Sequence, residues 1–354
     1  MSALREEDVE AVLETLRSGW LTMGPRIQAF EAQFAAWTGA RYAVACSSGT
    51  AALHLALLAE RLAPGAPVLV PALGGHAAAE AVRHAGGEPV FADVVSPSVP
   101  VLDVVDVERR LAGDGAVAVV VAHAFGHGAD ADLLQEVCAE AGVHLVEDAR
   151  AAVGALVGAH DRQAGTIGRS GCFSFADGRQ LPMGEGGMVV TADEGVASRV
   201  RLLRAHAMTS GTWDRPRGHS DTYDVVDVGF NFRLDEPRAA LGSSRLRHLV
   251  ADVEARRTTA RAWRAALADV DGVEPCFGPE SPAMSSHGAF GVLTAGAAAR
   301  DAALAALAAA GVTAWAEPAL APLPRAAEAG ERLVAIALEP AVPAETVIRA
   351  LRGG

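Results

Sequence analysis

Short continuous runs of apolar residues alternate, along the first two thirds of the chain, with longer stretches in which apolar residues recur at helical spacing. Such runs predict buried β-strands, and the stretches between them predict amphipathic helices. Strands that alternate with helices predict a mostly parallel sheet with helices on both faces. The predicted strands are residues 42–46, 68–71, 89–93, 117–122, 144–147, 171–175 and 188–191, and the predicted helices are 6–18, 26–38, 51–62, 74–84 and 131–141.

The pattern changes after about residue 240. Residues 241–267 are rich in arginine and alanine and predict one long helix. We therefore expect a large α/β domain with an N-terminal helical arm over residues 1–240, and a connecting helix with a small C-terminal α+β domain over residues 241–354. The predicted elements of the small domain are strands at 290–293 and 334–338 and helices at 299–310 and 344–351.

Composition limits the possible partners. Of the 354 residues 51% are hydrophobic, and 43 acidic against 30 basic residues give a net charge of −13. This charge argues against nucleic acid and anionic membranes as partners, and no apolar run reaches the ~20 residues of a membrane span. The four cysteines are widely separated, without the spacing of metal ligands or disulfides. We expect a small-molecule substrate, no metal, and a reduced cytoplasmic setting.

All 30 basic residues are arginine, so the chain contains no lysine. Arginine keeps its charge at every working pH and does not act as a neutral amine nucleophile. Chemistry that needs a primary-amine side chain is therefore excluded.

Three segments carry residue types typical of a ligand site. Residues 47–50, Ser-Ser-Gly-Thr, join a strand to a helix, and they either bind a phosphate or simply cap the helix. Glu147 and Asp148 end a strand, where a carboxylate either faces the ligand crevice or caps a turn. Residues 173–175, Phe-Ser-Phe, lead to the glycines of 184–187, which either approach a ligand closely or form a tight hairpin.

Taken in order, these segments resemble the DegT/StrS-type (DegT/DnrJ/EryC/StrS) sugar aminotransferases, which have the fold type I architecture of aspartate aminotransferase. The resemblance implies a mostly parallel seven-stranded sheet with helices on both faces and a small C-terminal α+β domain. It extends well over residues 8–250 and loosely beyond them. The segments that carry it are 18–20, 24–25, 47–53, 70–73, 126–130, 146–149, 172–175, 184–187 and 229–234.

The resemblance also implies roles in binding a vitamin B6 coenzyme. Asp148 would pair with the pyridine nitrogen and keep it protonated. Asn231 would reach the phosphate of the neighbouring subunit, so the resemblance implies a homodimer. The residues that would hold the phosphate within the subunit are Ser48, Gly49, Thr50 and Ser174.

The chain departs from this family at the reactive end of the coenzyme. The Schiff-base lysine of the family falls four residues after the Phe-Ser-Phe motif, where this chain has Arg179, which cannot form the imine. The usual stacking aromatic falls at Gly75, and the usual Gln or His three residues after Asp148 is an alanine. If the strand continues past Asp148, Arg150 lies on the same face and would pair with it in place of the pyridinium.

Histidines supply further candidate acid–base groups. His76 lies in the altered segment and is a catalytic candidate together with Arg179 and Asp148, although a structural histidine remains the alternative at each position. No pair of histidines has a tight ligand spacing on a clear helix face, as a metal site would need. The candidate substrate-binding residues are Arg150, His206 and His219.

Three functions stay open on the sequence. The first is a non-transaminating enzyme of amino-sugar or specialised-metabolite biosynthesis, such as antibiotic biosynthesis, that acts on a keto sugar, a cyclitol or another carboxylated or phosphorylated molecule. It would bind pyridoxal or pyridoxamine phosphate (PLP or PMP) noncovalently, or no coenzyme, with Arg179 and Arg150 gripping the substrate. The second is a non-catalytic subunit that pairs with an active paralogue as a heterodimer. The third is a PLP- or PMP-dependent aminotransferase or dehydratase without the lysine imine.

Overall fold

A seven-stranded sheet forms the centre of the computed structural model, which describes residues 4–209, 224–279, 284–339 and 341–353. From one edge to the other its strands are β1 (Tyr42–Cys46), β11 (Gly187–Thr191), β10 (Ser170–Ser174), β7 (His144–Asp148), β6 (Ala118–Ala122), β2 (Pro67–Pro71) and β3 (Glu88–Ala92). Strand β11 is antiparallel to both of its neighbours, and the other neighbouring pairs are parallel. The carboxyl ends of the parallel strands therefore meet at one edge of the sheet.

Helices cover both faces of this sheet. They are α1 (Glu6–Ser18), α2 (Pro25–Thr38), α3 (Gly49–Ala59), α4 (His76–His84), α5 (Val104–Asp114), α6 (Ala131–Glu140), α7 (Glu194–Leu203) and α8 (Glu236–Leu246). Because side chains alternate along a strand, β6 sends Val119 and Val121 to the face covered by α5 and α6. It sends Ala118 and Val120 to the face covered by α3, α4 and α7. Both faces are apolar, as expected for buried parallel strands.

The C-terminal part of the chain forms a second, antiparallel sheet with its own core. Its elements are α9 (Leu249–Leu267), β12 (Glu274–Pro275), β13 (Phe290–Leu293), α10 (Ala297–Ala309), β14 (Ala314–Ala316), α11 (Pro324–Arg332), β15 (Leu333–Ile336) and α12 (Ala344–Gly353). Helix α9 serves both cores: Leu249 and Val253 pack beneath the large sheet, whereas Trp263 and Leu267 pack in the small one. The division of the chain near residue 240 therefore stays a prediction.

The remaining elements are two short hairpins and the loops that join them. The hairpins pair β4 (Val94–Ser96) with β5 (Val99–Leu102) and β8 (Leu156–Val157) with β9 (Arg162–Gln163). In the described ranges, none of the helices combines the length and the apolarity that crossing a bilayer requires.

The predicted fold class is confirmed, and the seven predicted strands match the observed ones to within one residue at every end. The prediction of one helix over residues 241–267 is wrong. The chain turns at Arg247 and His248, whose backbone N–H groups bond carbonyl oxygens only three residues back, so α8 ends before α9 begins. Helices α5, α7 and α11 were not predicted.

Glu236, at the start of α8, ties the N-terminal helices to the large sheet. Its side chain is buried, with the residue 1% exposed, and its carboxylate accepts the backbone N–H groups of Gly24 (2.8 Å), Arg26 (2.8 Å) and Ile27 (3.1 Å). These groups lie at the N-terminus of α2, where N–H groups lack partners inside the helix and the helix dipole favours a negative charge. Glu236 therefore stabilises the start of α2 and its packing on α8.

Replacing Glu236 with alanine should lower the free energy of unfolding by roughly 2–4 kcal/mol, because buried N–H groups lose a charged acceptor. Urea unfolding followed by circular dichroism measures the loss. Glu80→Ala, at an exposed position on α4, is the matched control and should stay within about 0.5 kcal/mol of the wild type. Equal effects of the two substitutions would contradict the role of Glu236.

Glu147 in β7 is a second fully buried carboxylate. It accepts three backbone N–H groups of residues 165–168, at 2.6–2.9 Å, and lies 2.9 Å from Nε2 of His123. The His123 Nδ1 accepts the N–H of Ala129 at 3.2 Å, so Nε2 carries the proton and donates it to Glu147. Burial acts to raise the pKa of Glu147, but the hydrogen bonds from His123 and the loop outweigh burial and lower it.

The lowered pKa of Glu147 predicts how the contribution of this carboxylate to stability depends on pH. The stabilisation is present above the unfolded-state pKa of about 4.3 and is lost as the pH falls through the lower pKa of the folded state. Glu147→Gln should therefore cost roughly 2–4 kcal/mol at neutral pH, and the gap from the wild type should shrink below about pH 4. Urea unfolding over a pH series measures it, with Glu80→Gln as control. A gap that is constant from neutral to acid pH would refute the assignment.

Candidate active site

A cavity of about 220 Å³ lies at the edge of the sheet where the parallel strands end. Its floor includes Pro71, Ala122 and Asp148, the last residues of β2, β6 and β7. Ligand crevices of open α/β sheets lie at this edge. Trp315 and Glu317, from the C-terminal part of the chain, complete the lining, so both parts of the chain build the cavity.

The segment predicted to hold a phosphate lies at the N-terminus of α3. Ser48 caps this helix, because its Oγ accepts the backbone N–H of Ala51 at 3.1 Å. Gly49 approaches Ser174 so closely that a Cβ at position 49 would lie 2.6 Å from the Cβ of Ser174. The first N–H groups of a helix have no partners within it and suit an anion. The two alternatives for this segment, cap and anion site, are therefore compatible.

Thr50 and Asn231 complete the set predicted for the phosphate. Thr50 is the second residue of α3 and is half-buried, whereas Asn231 is exposed. The segment of Asn231 is adjacent, since the carbonyl oxygen of Phe232 accepts the N–H of Ser47 at 2.9 Å. The structure thus brings all of the segments predicted for the phosphate to one end of α3. The roles of these residues toward a coenzyme, and the homodimer, stay predictions.

Asp148 and Arg150 form a bidentate ion pair in the cavity floor. Nε of Arg150 donates to Oδ1 and Nη2 donates to Oδ2, each at 2.7 Å. Burial acts to raise the pKa of Asp148 and to lower that of Arg150, but the pair outweighs burial, so the pKa of Asp148 falls and that of Arg150 rises. The predicted pairing is confirmed. Its geometry differs from the expected one, because β7 ends at Asp148 and a turn brings Arg150 back onto it.

The Arg150 side chain lies where a B6 ring would have to lie if the predicted roles hold. Its Cδ is 2.8 Å from the place of a Cβ on Gly49, beside the predicted phosphate site. Its guanidinium covers Asp148, the predicted partner of the pyridine nitrogen. One side chain therefore runs between the two groups that the ring would connect. As they stand, these residues do not fit the coenzyme ring.

The backbone at position 75 does not suit the coenzyme ring either. A Cβ on Gly75 would overlap the carbonyl oxygen of Pro71, so the backbone here leaves no room for the aromatic side chain that the family resemblance implies. Helix α4 begins at the next residue, His76, two residues later than predicted. His76 is exposed and lines the cavity.

Arg179 lines the same cavity and is half-buried. Across the described part of the chain, no hydrogen bond or ion pair engages its guanidinium. Burial lowers the pKa of Arg179 and the neighbouring Arg150 lowers it further, while Asp148 and Glu317 act in the opposite direction. An arginine remains charged despite such a shift. A cation that faces a cavity without an ionic partner is suited to bind an anion.

Glu317 was missed by the sequence analysis. Its Oε1 accepts the Nε1–H of Trp315 at 2.6 Å, which orients the carboxylate in the cavity wall. It reaches the cavity because residues 319–320 pair with residues 72–73 after β2. No motif surrounds Glu317, so the only signal was its place in the segment between the last strands.

The other candidate histidines are not gathered at the cavity. His206 is exposed, has a φ of 64° and is absent from the residues that line the cavity, and His219 lies outside the described residues. His123 lines the cavity wall, but its ring is committed to Glu147. Within the described ranges, no three His, Cys, Asp or Glu side chains are grouped as metal ligands would be.

Comparisons with known proteins agree with this fold and show the family. The model of the DegT/DnrJ/EryC1/StrS aminotransferase family matches residues 2–320. The spore coat polysaccharide biosynthesis protein SpsC of Bacillus subtilis is 36% identical over 269 residues, which are 76% of this chain and 68% of SpsC. The dTDP-4-dehydro-2,3,6-trideoxy-D-glucose 4-aminotransferase of Saccharopolyspora spinosa is 35% identical over 276 residues, 76% of this chain and 70% of that enzyme.

A solved structure gives the same result over nearly the whole length. The aminotransferase TlmJ from Streptoalloteichus hindustanus superposes with a TM-score of 0.89 at 32% identity, covering 99% of this chain and 96% of TlmJ. The family match, the relatives and the shared architecture agree, and this chain belongs to the DegT/DnrJ/EryC1/StrS aminotransferase family.

Proposed function

We propose that this chain is an enzyme of its sugar aminotransferase family that does not transaminate. Transamination on PLP, the coenzyme of this family, depends on a lysine amine that forms the imine and moves protons. The chain has no lysine, and its resemblance to the family implies that Arg179 stands at the lysine position. The proposed substrate is a carboxylated or phosphorylated small molecule of the keto-sugar or cyclitol class.

The observation that carries this proposal is the placement of Arg179. Its guanidinium faces the cavity, while Arg150, the other arginine of the floor, is taken up by Asp148. A guanidinium presents paired donors that match a carboxylate or a phosphate. Arg179 therefore serves as the anchor for the anionic group of the substrate, and Arg150 is withdrawn from that role.

Two further side chains give the cavity acid–base groups. His76 and Glu317 line it together with Arg179. Imidazole and carboxylate side chains transfer protons to and from bound carbonyl compounds. An anchored keto sugar would thus undergo proton transfer beside its carbonyl group, without any amine. The ion pair removes Asp148 from such a role, and Asp148 positions Arg150 instead.

The size of the cavity suits this class of substrate. At about 220 Å³ the cavity is larger than the roughly 150 Å³ that accommodates a benzene ring, so it has room for a single sugar or cyclitol ring. The relative from Saccharopolyspora spinosa is named for a dTDP-linked keto sugar, and we extend that substrate class to this chain. Four buried free cysteines suit the reducing cytoplasm, where we place the enzyme as a homodimer.

Arg179→Gln should weaken the binding of anionic sugars by roughly 10- to 100-fold, since it removes a charged hydrogen-bond donor. Isothermal titration calorimetry with glucuronate and glucose 6-phosphate measures this loss, with uncharged glucose as the ligand control. Arg83→Gln, at an exposed position on α4, is the matched protein control. Anionic sugars that bind the wild type no more tightly than glucose would refute the anchor.

Glu317→Gln should slow proton exchange beside the ketone of a bound sugar by about 100-fold or more, because the amide cannot take up a proton. Deuterium incorporation from D₂O into a dTDP-linked keto sugar, followed by NMR, measures the rate. Glu80→Gln should behave as the wild type. Transfer of ¹⁵N from labelled glutamate to the sugar by the wild-type chain with added PLP would overturn the proposed function.

A further inference from the structure

The Arg150 side chain reaches both of the places that a coenzyme ring would have to reach. Its stem lies against Gly49 at the N-terminus of α3. Its planar cation donates two hydrogen bonds to Asp148, each 2.7 Å long. A protonated pyridine would donate only one hydrogen bond to that carboxylate. The internal side chain therefore satisfies Asp148 more fully than the coenzyme would.

We propose that Arg150 is a built-in substitute for the coenzyme ring, which closes the B6 site to PLP and PMP while leaving the Arg179 side of the cavity open. Two side chains then oppose coenzyme chemistry directly: Arg179 stands in place of the amine, and Arg150 fills the ring position. Restoring a lysine alone leaves the site closed.

The physical reason is competition for one buried carboxylate. Asp148 and Arg150 are both largely withdrawn from solvent, with side-chain exposures of 4% and 13%. A ring nitrogen reaches Asp148 only if the guanidinium leaves, and a guanidinium displaced from a buried partner keeps its charge in a poorly solvated place. The second arginine, Arg179, adds repulsion to any position that the displaced cation would take within the cavity.

The volume of the Arg150 side chain also opposes binding of the coenzyme ring. A ring that reached from α3 to Asp148 would overlap the Arg150 stem, since the stem already lies within contact distance of Gly49. Across the cavity, Gly75 contributes no side chain to hold a ring by stacking. Both the charge and the volume at this position therefore oppose the coenzyme.

This inference rests on the proposed function in one respect, namely that the substrate uses the Arg179 side of the cavity. The proposed function and this inference can each fail without the other. The anion anchor is tested by sugar binding to Arg179 variants, whereas the closed ring site is tested by coenzyme binding to Arg150 variants. Coenzyme binding by the wild type would overturn the present inference and leave the sugar titrations unaffected.

The experiment compares four proteins: the wild type, Arg150→Ala, Arg179→Lys and the double variant Arg150→Ala/Arg179→Lys. PMP binding is measured by equilibrium dialysis and by thermal shift. The wild type and Arg179→Lys should bind PMP weakly and keep their melting temperatures. Arg150→Ala should bind PMP at least about tenfold more tightly, and PMP should raise its melting temperature, because the ring supplies the cation that Asp148 has lost.

PLP gives a covalent readout of the same comparison. In the double variant, the introduced amine attacks the aldehyde carbon of PLP, a C=N bond forms and one water leaves. Borohydride then delivers hydride to that carbon, and intact mass reports one phosphopyridoxyl group per chain. Since the natural chain has no lysine, background labelling is restricted to the N-terminal amine. Arg83→Lys, a lysine at an exposed position on α4, is the matched control for nonspecific labelling.

Stoichiometric labelling of the double variant, together with background labelling of Arg179→Lys, is the expected result. Equal labelling of these two proteins, or tight PMP binding by the wild type, would overturn the inference. If Arg150→Ala does not fold, Arg150→Ser keeps the Asp148 carboxylate and most of the opened space, and its hydroxyl can donate one hydrogen bond to Asp148. That variant should still bind PMP more tightly than the wild type, and its failure to do so would also count against the inference.

Discussion

The ion pair between Arg150 and Asp148 is the constraint on which the rest of the site depends. A carboxylate buried at the end of β7 needs a cation in contact, because an unpaired buried charge is costly. Arg150 meets this need from two residues away through a turn, and its stem fills the space beside Gly49. Because Arg150 and Asp148 bind each other, Arg179 and Glu317 remain as the charged side chains that face the cavity. Charge pairing in the floor thus determines which groups remain for a ligand.

Two other buried carboxylates are satisfied in the same way, by donors that the fold itself fixes. Glu236 accepts three backbone N–H groups at the start of α2, and Glu147 accepts three from residues 165–168 as well as the His123 ring. Each joins segments that are distant in the sequence. Buried carboxylates therefore stabilise the framework around the cavity together with the apolar core. The cavity is lined by residues from both the large α/β part and the C-terminal part of the chain.

The sequence predicted the large sheet closely because each strand is encoded by a local apolar run. The Asp148–Arg150 pair could also be predicted, since two residues of separation suffice to bring the side chains together, although a turn does so rather than a strand. Glu317 could not be predicted, because it reaches the cavity through the pairing of residues 319–320 with 72–73. The break between α8 and α9 was missed because Leu246 and Leu249 are both buried in the same core and continue the helical pattern across it, so the turn at Arg247 and His248 leaves no mark on the apolar pattern.

Gly75 limits how the cavity wall can be changed. Because a Cβ there would overlap the Pro71 carbonyl oxygen, no single replacement at this position can supply an aromatic platform; the local main-chain path would have to change as well. A redesign of this wall would therefore have to alter residues 71–75 together, whereas Arg179 and Glu317 line the cavity with side chains that can be exchanged one at a time.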